Sequence, residues 1–229
     1  MLSGMTSTTA TQARSDSEIQ NDVRDELEWT PDVNSTHVGV AVNGGVVTLS
    51  GEVSTYSERV AAKDAARRVR GVAGLADELL VESVASYKHT DTQIAENILS
   101  SLRLREDIPR DAITCEVTDG FATLKGQVEW NFQRGAARFE ASRVAGVRLV
   151  TNDVTLSPRV SANDTAERIR QALVRHAQVD ANGILVHAEG SAVRLTGHVG
   201  SWGERQQAGA AAWASPSVTA VENDLVVRL

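Results

Sequence analysis

One strand is written three times in this chain, as VTLSGEV at Val47–Val53, ATLKGQV at Ala122–Val128 and VRLTGHV at Val193–Val199. Self-similarity at a period near seventy residues means a series of like units, so the repeat constrains the architecture before composition does. Extended outward without a gap, Asp16, Ile19, Val23 and Leu27 fall on Asp91, Ile94, Ile98 and Leu102, and Gly71-Val72 falls on Gly146-Val147. The third copy keeps Ile169, Leu173, Ile184, Leu195, Gly197, Val218 and Asn223 in step, with Thr165 where the other copies have isoleucine.

Each copy opens with apolar residues every three or four positions behind an Asp or Asn, the pattern of an amphipathic helix with an N-cap. Asp16, Asp91 and Asn163 or Asp164 are the expected caps. Alternating segments follow around Asn43-Gly44, Asp119-Gly120 and Glu189-Gly190, residues that permit the positive φ of a tight hairpin. Gly51, Gly126 and Gly197 share the inward face of the second strand, where the missing side chain is expected to let a helix come close. The second helix offers a matching small row: Ala62, Ala66 and Val69, then Ala137, Ala141 and Val144, then Ala208, Ala212 and Ser215. A third strand closes each copy, and the helical crossover sets it parallel to the second.

The expectation is an α+β chain of three tandem αββαβ units, each a three-stranded mixed sheet with two helices on one face. The units span 16–85, 86–158 and 159–229, after a disordered segment at 1–15. A unit of about seventy residues buries roughly 60% of its unfolded surface, so contacts between neighbours are expected to add stability.

The V-x-L-x-G-x-V strand after an Asn-Gly turn, the Ala-rich helix, and the closing Gly-Val-x-x-Val-x-Asn-x-Leu together resemble the BON domain. Asn152 and Asn223 hold the Asn of that last motif, and Asp77 replaces it in the first copy. The resemblance, which extends to the osmotically inducible periplasmic protein family, implies the bacterial envelope, osmotic or membrane stress, and binding of anionic phospholipid. Those relatives usually carry an export signal and commonly have two copies.

The chain has 229 residues, a formal net charge of −7 and one cysteine, Cys115. The acidic balance argues against general nucleic-acid binding. A single cysteine allows no internal disulfide and no cysteine metal cluster. The first fifteen residues lack the apolar run of a signal peptide, which gives a cytoplasmic expectation; the resemblance implies a periplasmic one. By copy, 6 basic side chains stand against 13 acidic ones in 16–85, 9 against 10 in 86–158 and 7 against 7 in 159–229.

Two recurring features are candidates for binding. Arg59, Lys63, Arg67 and Arg70 form a basic stripe on the second helix of the first copy; Arg134 and Arg138 remain in the second and Arg205 in the third. Such a stripe suits anionic headgroups, or it is a solvated flank paired with the acidic first helix of the same copy. An aromatic follows the second strand in every copy: Tyr56, then Trp130 with Phe132, then Trp202. Those rings suit lipid or partner contact, or they staple the second helix to the sheet. The partners expected are therefore an anionic phospholipid or membrane surface, met peripherally, or another protein.

No nucleophile with a base, no paired carboxylates and no phosphate loop recur across the copies, so the chain is read as non-enzymatic, without cofactor or metal. His187 and His198 share a hairpin whose turn does not set them opposite each other, and Cys115 falls on an inward strand position.

Overall fold

The computed structural model describes residues 14–81, 89–158, 165–175 and 183–228. Among these, the first unit runs α1 (Asp16–Glu28), β1 (Val38–Asn43), β2 (Val46–Val53), α2 (Tyr56–Arg68) and β3 (Gly74–Val81). The second runs α3 (Asp91–Arg103), β4 (Ile113–Thr118), β5 (Phe121–Val128), α4 (Asn131–Arg143) and β6 (Leu149–Leu156). The third runs α5 (Thr165–Arg175), β7 (Ile184–Glu189), β8 (Ala192–Val199), α6 (Trp202–Trp213) and β9 (Ala220–Val227). Each unit has its own three-stranded sheet with the second strand in the middle, antiparallel to the first and parallel to the third. This is the expected mixed αββαβ plan, three times over.

Each unit also has its own core. In the first, Ile19, Val23 and Leu27 of α1 and Ala62, Ala65 and Ala66 of α2 close over Val47, Leu49 and Val53 of β2 and Leu79 of β3. Fully burying a side chain of that size contributes about 1.5–3 kcal/mol, so the small alanine row on α2 matters less for its area than for letting the helix lie close to the sheet. The same positions recur in the other two cores, except that Glu140 stands for Ala65 in the second and Thr165 for Ile19 in the third.

Four local expectations are corrected. The N-caps of α1 and α3 are Ser15 and Thr90, each in a capping box with Glu18 or Gln93. Asp16 and Asp91 sit one residue inside and reach across to the hairpins. Asp16 accepts from the backbone N–H of Gly44 (2.8 Å) and Gly45 (2.9 Å), and Asp91 from those of Asp119 (2.8 Å) and Gly120 (2.9 Å). The first turn is accordingly Gly44-Gly45, one residue later than expected, and the third is Gly190-Ser191, since Asn43 pairs with Val46 and Glu189 with Ala192. Arg14 and Ser15 belong to the fold: Arg14 donates to the carbonyl of Arg70 at 2.9 Å. The rest of the segment expected to be disordered, and the cap candidates Asn163 and Asp164, lie outside the described residues.

The strand glycines serve a different neighbour from the one expected. A Cβ on Gly126, where φ is 143°, would stand 2.0 Å from the carbonyl oxygen of Ala112 on the segment leading into β4. At Gly51 and Gly197 the obstacle is the carbonyl of His37 or Gly183, 2.1 Å away. Backbone of the adjoining chain, and no helix, forbids a side chain there.

The third unit departs where its sequence does. Ile19 and Ile94 pack onto Gly71 and Gly146, whereas Thr165 meets Ser217 through their hydroxyls at 2.9 Å. An apolar contact on a glycine has been exchanged for a hydrogen-bonded pair, so Thr165 is buried yet satisfied.

The units meet through their second helices. α2 packs against both α4 and α6, and the Arg134 guanidinium of α4 lies 4.6 Å from the ring of Trp213 on α6. With helices covering one face of each sheet and second helices at the centre, the sheets turn their other faces outward, where Val46, Lys125 and Leu185 are exposed.

Candidate functional site

The first half of the basic stripe on α2, Arg59 and Lys63, is held by a residue in β3, and Arg70, expected on the helix, lies past its end at Arg68. Arg59 Nε lies 3.1 Å from Asp77, and Lys63 Nζ lies 2.8 Å from the same carboxylate. Burial pushes the Asp77 carboxyl up, but the hydrogen bonds from Lys63 and Arg59 outweigh it and hold its pKa below the ordinary aspartate value. Arg67 pairs with Asp64 at 3.4 Å, and Arg70 reaches the backbone near Gly200 of the third repeat. The acidic first helix meets a residue outside the stripe, through Arg68 and Glu26 at 2.7 Å.

The equivalent of Asp77 is Asn152 in repeat two and Asn223 in repeat three. Each amide donates to the carbonyl of a second-helix residue, Arg134 at 2.8 Å and Arg205 at 2.9 Å, pinning helix to sheet without charge. The arginine side chains then find other company. Arg134 is drawn against Trp213, and burial there lowers its pKa from the ordinary value. Arg205 donates to the carbonyls of Leu225 (2.9 Å) and Asn223 and lies 5.5 Å from the Trp202 ring. Arg138, at the position of Lys63, has Asn152 where Lys63 has Asp77, and makes no ion pair among the described residues.

Of the three second helices, α4 is therefore the one that combines cations without an ion pair among the described residues with exposed phenylalanine rings. Phe132 is 58% and Phe139 47% exposed. At 100° per residue, Phe132, Phe139 and Arg143 lie within about 20° of one line along the helix, with Arg138 roughly 120° round from it. The Arg143 guanidinium stands 5.3 Å from the Phe139 ring. Trp130, 39% exposed, precedes the helix at its N-cap. Gln133 fixes that end, accepting from the backbone N–H of Trp130 (2.9 Å) and donating to the carbonyl of Asp107 (2.8 Å). At the positions of Phe132 and Phe139, α2 has Ser57 and Asp64, and α6 has Gly203 and Ala210.

Tyr56 and Arg138 come together in a cleft of about 420 Å³ between the first two repeats, lined also by Asp32, Asp64, Phe139 and Arg143. Tyr56 packs onto the core of repeat two, so its ring joins units. Trp202 and Arg205 stand apart from this cleft, half-buried at the start of α6. Phe139, Arg143 and Asp32 were not singled out from the sequence; Phe139 is signalled by its mismatch with Asp64 at the aligned position, whereas Asp32 and Arg143 align with Asp107 and Arg68 and carry no such signal. Cys115 is half-buried against the second core, and burial pushes its thiol pKa up, away from the reactive thiolate. His187 lies opposite Arg194 and His198 beside Val226, so the two histidines of the third hairpin do not face each other.

A chain of three such units, each closing on a helix-pinned third strand, is a tandem-domain protein with its surfaces on the outside. The BON domain family matches residues 15–83, 90–158 and 161–228, and the chain belongs to that family. It is similar to osmotically-inducible protein Y of Escherichia coli K12, with 33% identity over 144 residues, covering 61% of this chain and 71% of that one. Solved structures of CdsD, described as a structural protein of the type III secretion system of Chlamydia trachomatis, align over 92–94% of this chain at 13–15% identity with a TM-score of 0.26.

Proposed function

We propose that this chain is a non-enzymatic binding protein that attaches peripherally to anionic phospholipid surfaces through its second repeat. The supporting observation is α4, which lines exposed Phe132 and Phe139 up with Arg143 and adds Arg138 on an adjoining flank, neither arginine being ion-paired among the described residues. Rings that enter the interface shallowly and cations that meet phosphates are the two components of peripheral attachment, each Lys or Arg near such a surface adding about 1 kcal/mol. The similarity to an osmotically inducible protein supports a role in osmotic stress. Membership of the BON family and the similarity to osmotically-inducible protein Y favour the bacterial envelope over the cytoplasm as its place. Co-sedimentation with vesicles should show binding that needs anionic lipid and weakens as salt screens the charges. Equal binding to neutral vesicles, or none to either, would contradict this reading.

One observation favours a second reading, a protein-interaction module. The first and third strands of every sheet are edges, which offers strand addition to a partner. A monomeric sedimentation profile together with lipid binding would count against it.

A further inference from the structure

The cleft between repeats one and two has walls of opposite charge. Asp32 and Asp64 come from repeat one, Arg138 and Arg143 from repeat two, and each side adds a ring, Tyr56 or Phe139. Were these charges there only to hold the repeats together, they would be expected to pair across the gap. No ion pair joins them among the described residues: Asp64 is met by Arg67 of its own helix at 3.4 Å, and Arg143 stands over Phe139. The space left between them, about 420 Å³, falls in the range of about 300–1,000 Å³ typical of small-ligand pockets.

A guest that fits must be dipolar. Guanidinium groups donate in forks that match phosphate oxygens. Carboxylates beside aromatic faces attract an ammonium, and one that keeps its N–H bonds can also donate to them. We infer that this cleft binds a small zwitterion bearing a phosphate and a primary ammonium, of the phosphoethanolamine type. Its phosphate lies toward Arg138 and Arg143, and its ammonium toward Asp32 and Asp64. This goes beyond attachment to an anionic surface and does not depend on it.

Titration calorimetry of the full chain with phosphoethanolamine, inorganic phosphate and ethanolamine tests the assignment. Phosphoethanolamine should bind about tenfold or more tightly than phosphate. Asp32→Asn should abolish that preference while leaving phosphate binding, and Arg138→Ala should weaken both. Asp32 and Arg138 are exposed, so both variants should melt like the parent by circular dichroism. Vesicles matched in anionic lipid but differing in ethanolamine or choline phospholipid then separate the sources. Extra retention on ethanolamine lipid identifies a lipid headgroup, and equal retention with binding of the free compound identifies a soluble ligand. No response to phosphoethanolamine, phosphate binding as tightly as phosphoethanolamine, or a preference that survives Asp32→Asn would overturn the inference. Salt-sensitive vesicle binding could stand without this preference, and the preference could stand without vesicle binding, so either failure is told from the other.

Discussion

Asp77 and Asn152 differ by one terminal group and send their repeats in different directions. The carboxylate gathers Arg59 and Lys63, whereas the amide donates to the Arg134 carbonyl and leaves Arg138 without an acidic partner. Because the folded pKa of Asp77 lies below its unfolded value, its contribution to stability is fully present above the unfolded value of about 4 and is lost as pH falls through the lower folded value. Asp77→Asn should therefore flatten the acid limb: urea denaturation from neutral pH down to about pH 3 should show the parent losing stability more steeply than the variant. At the strand glycines, space is the issue. Gly126→Ala places a methyl group against the Ala112 carbonyl at a φ that L-residues rarely adopt, and should cost about 2 kcal/mol or more in chemical denaturation.

At the scale of elements, the link between first helix and hairpin is an aspartate clasp. Asp91 satisfies two turn N–H groups that would otherwise face solvent, so Asp91→Ala should cost about 2 kcal/mol and raise hydrogen exchange at Asp119 and Gly120 before the rest of repeat two. The helices, the strands and their order were legible in the sequence because burial imposes the 3.6 and 2 residue periods that Ile94, Ile98, Leu102 and Ala122, Leu124 display. The clasp was not legible, since an aspartate beside a helix start reads as a cap whether it bonds its own helix or a turn 28 residues away. Nor was the reason for the strand glycines: alternation says which face Gly126 occupies, and says nothing of a carbonyl arriving from Ala112. For the candidate site, the sequence identified Tyr56, Trp130, Phe132 and Arg138 as notable residue types. It could not show that Asp77 neutralises Arg59 and Lys63, because that pairing joins residues up to 18 apart through the sheet.

For the whole molecule, packing of the second helices decides which surfaces remain. Arg134 and Tyr56 are drawn into contacts between units, while the α4 row of Phe132, Phe139 and Arg143 keeps its exposure. The net charge of −7 is carried by the first repeat, so in the proposed function an anionic surface would be met by the second, where Arg138 and Arg143 are not ion-paired among the described residues. The proposed surface binding accordingly belongs to repeat two and to no property of the BON fold shared equally by all three copies.

The direct measurement is vesicle co-sedimentation of two double variants beside the parent, on anionic lipid at low salt. Arg138→Ala with Arg143→Ala should reduce binding at least about tenfold, near 1 kcal/mol per cation. Arg59→Ala with Lys63→Ala, which removes charges already held by Asp77, should leave binding within about twofold of the parent. Equal losses in the two variants, or a larger loss in the second, would contradict the assignment to repeat two.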